Sequence, residues 1–167
     1  MTQSSRPDPL TIRPATSADS PRLTALAREA KAHWGYPVAW LEAWRDALTI
    51  TPEYIEAHAV FVAESAARPP AVLGVCAIED HGDHWELEHL WVDPNAHGAG
   101  VGRALLKQAL AIAGERHPGS IVRVESDPHA AGFYRRLGAR EVGAVPAPMD
   151  GDPARVLPVL ELDTTVR

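Results

Sequence analysis

Between residues 84 and 126 this chain of 167 residues changes period twice, which leaves few folds open. His84–Asp93 (HWELEHLWVD) is β-rich and ends at Asp93-Pro94-Asn95. A glycine-rich loop, His97-Gly98-Ala99-Gly100-Val101-Gly102, opens a helix over 101–115 whose buried face carries Leu105, Ala109 and Ile112. Arg116-His117-Pro118-Gly119 supplies the basic residues and breakers that end it, and Ser120–Ser126 (SIVRVES) is again a strand. Strand, loop, helix and strand in this order make a βαβ unit, which requires a parallel strand pair joined by a right-handed crossover.

The loop sits where anions bind. The first turn of a helix has unpaired N–H groups and a partial positive charge, and glycines let the backbone approach phosphate without Cβ atoms in the way. Two familiar phosphate loops are excluded by spacing. A P-loop needs Gly-Lys-Ser/Thr, whereas Arg103-Ala104 follows Gly102; a dinucleotide fingerprint needs a sixth-position glycine, and counting from Gly98 that residue is Arg103.

Around this unit the remaining elements alternate. A strand is expected at Leu10–Pro14 after a polar, mobile stretch at 1–9, then a helix from Ser20-Pro21 to about His33 with Leu23, Leu26, Ala27 and Ala30 on one face. His33-Trp34-Gly35-Tyr36-Pro37 breaks it, 38–48 is a second amphipathic stretch, and Thr51-Pro52-Glu53 opens at most a short turn. Strands follow at 58–64 and 71–80. The latter is joined to 84–93 by the His81-Gly82-Asp83 turn as an antiparallel hairpin. A short helix over 130–137 stops at Gly138, and strands at 139–144 and 156–162 close the chain. No repeat or long linker divides it, so the expectation is one α/β domain, 10–167, with a mixed sheet.

Charge and composition narrow the function. Sixteen Lys and Arg against 22 Asp and Glu give a net charge of −6, the wrong sign for a nucleic-acid surface. No apolar run approaches the roughly 18 residues of a membrane span, and MTQSSRPDPL lacks the apolar core of a signal peptide. Cys76 is the single cysteine and lies in the apolar run VLGVCAIE, so it is expected in the core of a protein from a reducing, cytoplasmic compartment. The eight histidines show no metal-ligand spacing and read as surface and turn residues.

Leu90-Trp91-Val92-Asp93-Pro94 followed by His97-Gly98-Ala99-Gly100-Val101-Gly102-Arg103 resembles the acetyl-CoA-binding core of the GCN5-related N-acetyltransferase (GNAT) superfamily. Asp127, Ala130 or Ala131, Phe133-Tyr134, Leu137 and Gly138 resemble that family's second signature, Asn-x-x-Ala-x-x-Phe-Tyr-x-x-x-Gly-Phe. His97 stands in place of the usual Arg or Gln, and Asp127 in place of Asn. The resemblance runs from about Leu10 to Leu162 and implies a single domain with a mostly antiparallel sheet of six to seven strands, about four helices and a βαβ acetyl-CoA core. It further implies that acetyl-CoA binds to Leu90, Trp91, Val92, the loop His97, Gly98, Ala99, Gly100, Val101, Gly102 and Arg103, and to Asp127, Ala130, Phe133 and Tyr134, with no metal.

Transfer of acetyl from a thioester to an amine needs the neutral amine. With a lysine-like pKa near 10.4 it is mostly protonated at pH 7, a handicap of roughly 4–5 kcal/mol. A carboxylate removes that proton. Glu86 and Glu88 alternate with Leu87 and His89, and strand periodicity expects both glutamates on one face with Leu90 and Val92. The resemblance matches the family's base best to Glu86 and leaves Glu88 and His89 open; it makes Tyr134 the acid that protonates the leaving thiolate. Trp34 and Tyr36, in the broken loop, fall on the family's substrate wall, while Trp40 and Trp44 are explained by packing. The acceptor expected is a small-molecule or peptide amine, with no nucleic-acid or membrane partner and a homodimer left open. Two other classes stand beside the enzyme: a non-catalytic acyl-CoA-binding or sensing domain on the same fold, and a structural module that binds no CoA.

Overall fold

The computed structural model describes residues 9–165, so all of the expected mobile stretch except Pro9 lies outside the described residues. Seven strands form one sheet: β1 (Leu10–Pro14), β2 (Ala59–Ser65), β3 (Val72–Asp80), β4 (Trp85–Val92), β5 (Ile121–Glu125), β6 (Arg140–Pro146) and β7 (Val156–Asp163). Their order is β1-β2-β3-β4-β5-β7-β6, antiparallel throughout except for β4 beside β5. Five α-helices accompany them: α1 (Ser20–His33), α2 (Val38–Ala43), α3 (Pro52–Ala57), α4 (Val101–Arg116) and α5 (Ala131–Arg136).

The central strands are covered on both faces, which is why β2 and β3 read as unbroken apolar runs. Phe61, Cys76 and Ile78 pack with Leu105, Leu106 and Leu110 of α4 and with Ala131 and Tyr134 of α5. Val60, Val62, Val75 and Ala77 pack on the other side with Leu23, Leu26 and Ala27 of α1 and Ile55 of α3. Gly74 lets α4 lie close on β3: a Cβ there would stand 2.8 Å from Leu105 Cδ1 and 2.9 Å from Val101 Cγ1.

Local chemistry shifts several boundaries. Asp19 closes a capping box with Thr16 and precedes Ser20, which is already the first residue of α1. The stretch expected as one amphipathic segment over 38–48 is helical only to Ala43. It continues as turns that deliver Leu48 and Ile50, both buried, to the core under α1. Thr51-Pro52-Glu53 opens a true helix rather than a turn, because the Thr51 side chain caps the Tyr54 N–H at 3.1 Å and Pro52 occupies the first helical position.

Two irregularities shape the centre. β4 and β5 pair only at Trp85–Val122 and Glu86–Arg123, and beyond those rungs the strands part into a fork. Along its other edge β4 carries a bulge: His89 pairs with Ala77 and Leu87 with Ile78, so Glu88 is the extra residue. The bulge corrects the expected alternation. Trp85 and Leu87 before it, and Leu90 and Val92 after it, all pack toward α4, so Glu86 and Glu88 do not share a face with Leu90 and Val92.

Candidate active site

The fork opens into a cavity of about 970 Å³ whose wall runs from the glycine loop, along β4 and the end of β5, to the ends of α1 and α2. At one end Gly98 and Gly100 have φ of 80° and 82°, and a Cβ on either would meet nothing within 4 Å. The space beside them is therefore open to a ligand. Gly100 caps α4, whose first N–H groups have no partner within the helix. Gly102 has a different reason to be glycine: a Cβ there would stand 3.2 Å from the Phe133 ring, so it seats α5 against α4. His97, Gly98, Gly100, Val101, Gly102 and Arg103 all reach the cavity wall, and Ala99 does not. Arg103 and Arg136 bring positive charge to this end, and neither forms an ion pair with a described residue. Open backbone, free helix N–H groups and two unpaired arginines fit a phosphate-bearing donor such as CoA.

Leu90, Trp91 and Val92 line the cavity from β4, and Ala130, Phe133 and Tyr134 from α5. Tyr134 is 5% exposed, yet its hydroxyl makes no hydrogen bond to a described residue, and burial pushes its pKa well above the usual phenol value. At neutral pH it holds its proton and faces the cavity.

The carboxylates differ sharply. Glu86 accepts from His84 Nε2 at 2.9 Å, and His84 also contacts Asp83. Glu88, set out by the bulge, has no hydrogen-bond or ionic partner among the described residues. It is reached by solvent but sits on a concave wall, where loss of surrounding water raises its pKa, reinforced by the charges of Glu79, Glu86 and Glu125. Glu79, Glu125 and His81 line the same region.

His89 departs from the surface role expected of the histidines. It is 4% exposed, and burial lowers its pKa to about 4. Its Nδ1 accepts the Trp91 indole N–H at 3.0 Å, so the neutral ring carries its proton on Nε2. A ring in that tautomer, with its only basic nitrogen already occupied, is a hydrogen-bond donor rather than a base.

At the mouth of the fork the end of α1 crosses to the segment after β5. Lys31 Nζ lies 2.5 Å from Asp127 Oδ2, Tyr36 donates to the same carboxylate at 2.9 Å, and Trp34 stacks on His129 at 5.1 Å. Trp34 lines the cavity near His97, at the glycine-loop end. Tyr36 is not among the residues that line the cavity; it stands beside Lys31, Trp44, Asp127 and Arg155, which are. Its ring belongs to a cluster with Trp40 and Trp44, over which Arg155 lies at 5.1–5.8 Å from the ring centroids. Lys31 had a sequence signal, since it falls four residues after Ala27 on the buried stripe of α1. Arg155, in the Pro/Gly/Asp-rich segment before β7, had none.

Cys76 is fully buried with its pKa pushed up to about 12, an inert core thiol. Among the described residues no group of three His, Cys, Asp or Glu is arranged to hold a metal, and no helix is long and apolar enough to cross a membrane.

A family model described as an acetyltransferase (GNAT) domain matches residues 56–138, the span from β2 through the glycine loop to the end of α5. A blasticidin-S acetyltransferase of Streptomyces morookaense is 36% identical over 93 residues, 48% of this chain and 68% of that protein. This chain belongs to the GNAT superfamily. The peptidyl-lysine N-acetyltransferase YjaB of Salmonella typhimurium is 35% identical over 63 residues, 37% of this chain and 39% of that one. The GNAT fold extends over nearly the whole chain. The paia N-acetyltransferase of Thermoplasma acidophilum, solved in complex with coenzyme A, superposes with a TM-score of 0.73 over 93% of this chain and 99% of its own, at 19% identity.

Proposed function

We propose that this GNAT domain, residues 10–167, transfers acetyl from acetyl-CoA to a primary amine, with Glu88 as general base and Tyr134 as general acid. The observation that carries the reading is one cavity holding an unpartnered carboxylate of raised pKa and an unpartnered, protonated phenol. Glu86, engaged by His84, supports Glu88 through charge instead of taking the proton itself. His89, with Nδ1 occupied, takes no part as a base.

Acetyl-CoA, when bound, supplies the thioester carbonyl that the amine attacks. The N–H groups at the start of α4, with Arg103 and Arg136, hold its phosphates, and Leu90, Trp91, Val92, Ala130 and Phe133 line the path into the fork. Glu88 removes a proton from the ammonium, so that the nitrogen lone pair forms the new C–N bond. Tyr134 gives its proton to the sulfur as the C–S bond breaks, and its phenolate takes up the proton that the acylated nitrogen sheds on becoming a neutral amide. Proton transfer of this kind contributes typically 10²–10⁴-fold. Asp127, tied to Lys31 and Tyr36, positions the segment that leads into α5. The relatives carry two acceptor names, blasticidin-S and peptidyl-lysine, so both small-molecule and peptide amines belong in a first screen. The single buried thiol suits a cytoplasmic setting.

The test is thiol release from acetyl-CoA against a panel of amines, peptides and amine antibiotics, alongside calorimetry with CoA. Transfer to an amine that Tyr134→Phe and Glu88→Gln both slow supports the reading. CoA binding with no turnover on any amine overturns it in favour of an acyl-CoA sensor.

A further inference from the structure

We propose that the acceptor carries a second cationic group, held by Glu79 and Glu125 while its reacting amine lies at Glu88; this rests on the acetyl-transfer reading above. Charge on the cavity wall is segregated. Arg103 and Arg136 stand at the glycine-loop end, whereas Glu79, Glu86, Glu88 and Glu125 converge at the other, close enough for three of them to raise the pKa of the fourth. Glu88 and Glu125 have no ion pair with any described residue, and Glu79 has only His81 at 3.5 Å. The cations around this wall are already engaged: Arg123, opposite Glu86 on the ladder, on Glu161, Lys31 on Asp127, and Arg155 over the faces of Tyr36, Trp40 and Trp44.

A general base requires one carboxylate. Four on a concave wall repel one another, and the repulsion is relieved when a ligand brings compensating positive charge. His89 points independently to a polar ligand. It is 4% exposed, it lines the same cavity, its Nδ1 is taken by Trp91, and its Nε2–H makes no hydrogen bond to a described residue. Anionic oxygens together with one fixed N–H donor complement a hydrophilic polyamino compound; a plain alkylamine leaves most of them unmatched.

The decisive experiment compares n-alkylamines with α,ω-diamines of two to eight carbons as acceptors for the purified protein. It reads kcat/KM from thiol release at a pH above the Glu88 titration. The best diamine is expected to exceed its matched monoamine by at least tenfold, with the ratio shrinking as salt rises. In Glu125→Gln and Glu79→Gln that ratio is expected to fall at least threefold. A ratio within the statistical factor of two at every chain length overturns the second cation site and leaves acetyl transfer standing. Failure of every amine while CoA still binds overturns both.

Discussion

Lys31 and Asp127 meet across the open fork between β4 and β5, Nζ to Oδ2 at 2.5 Å, with side chains only 10% and 9% exposed. One comes from the helix that packs on β4 and the other from the turn after β5, so a single ion pair ties the two halves of the sheet on one face. Burial works to raise the Asp127 pKa, but hydrogen bonds from Lys31, the His129 N–H and Tyr36 hold it below the ordinary value. A depressed carboxylate contributes stability that is present above its unfolded pKa of about 4 and is lost as pH falls through its folded value.

Removing one partner leaves the other charge buried and alone. Lys31→Met and Asp127→Asn are each expected to cost about 3–5 kcal/mol. The double variant is expected to cost clearly less than their sum, and denaturant unfolding of all four proteins measures the coupling. Additive losses would show that the pair contributes nothing beyond its packing.

Glu88 sets the acid side of the rate profile. The base works only when ionised, so kcat/KM should fall as pH drops through the raised Glu88 pKa, above the usual carboxylate range. Glu88→Gln removes this limb. Glu79→Gln and Glu125→Gln each remove a like charge and should move the limb to lower pH. Loss of the limb in Glu86→Gln, with Glu88→Gln unaffected, reverses the assignment.

Tyr134→Phe deletes a hydroxyl that bonds to no described residue, so the melting temperature should stay within a degree or two while kcat drops about 10²-fold. A large loss of stability with normal kcat would make the phenol structural.

Two glycines separate packing from binding. Gly74→Ala forces a methyl between β3 and α4 and should cost about 1–3 kcal/mol of stability, leaving CoA affinity in the folded protein nearly unchanged. Gly100→Val strains a residue at φ 82° and fills the space beside the α4 N-terminus, so calorimetry should show CoA binding weakened more than tenfold, about 1.4 kcal/mol.

The sheet, the hairpin and the crossover were legible because apolar period and breakers agree at β3, β4, α4 and β5. The glycine loop was legible for the same reason: only a helix start after a strand gives Gly98 and Gly100 their use. The faces of β4 were not. A bulge costs no unusual residue, and nothing in Glu86-Leu87-Glu88-His89 marks Glu88 as the extra one. The partner of the Tyr36 hydroxyl was not legible either, because it is a carboxylate 91 residues away. Distant pairings of that kind, and Arg155 over three aromatic rings, have no local period to reveal them.

The fork gives the protein an internal pair of sheet edges in the middle of the sheet instead of at its rim. Two ladder rungs act as a hinge between a four-stranded and a three-stranded plate, and the side-chain ties across the mouth act as a latch. Backbone amides of β4 beyond Glu86 that point toward β5 have no strand to protect them. In the free protein they should trade hydrogen for deuterium faster than their neighbours on β3, despite lying at the molecule's centre. A donor threaded between the plates would act as a wedge that stiffens the hinge, and slowed exchange along both inner edges would record its presence without any chemistry taking place.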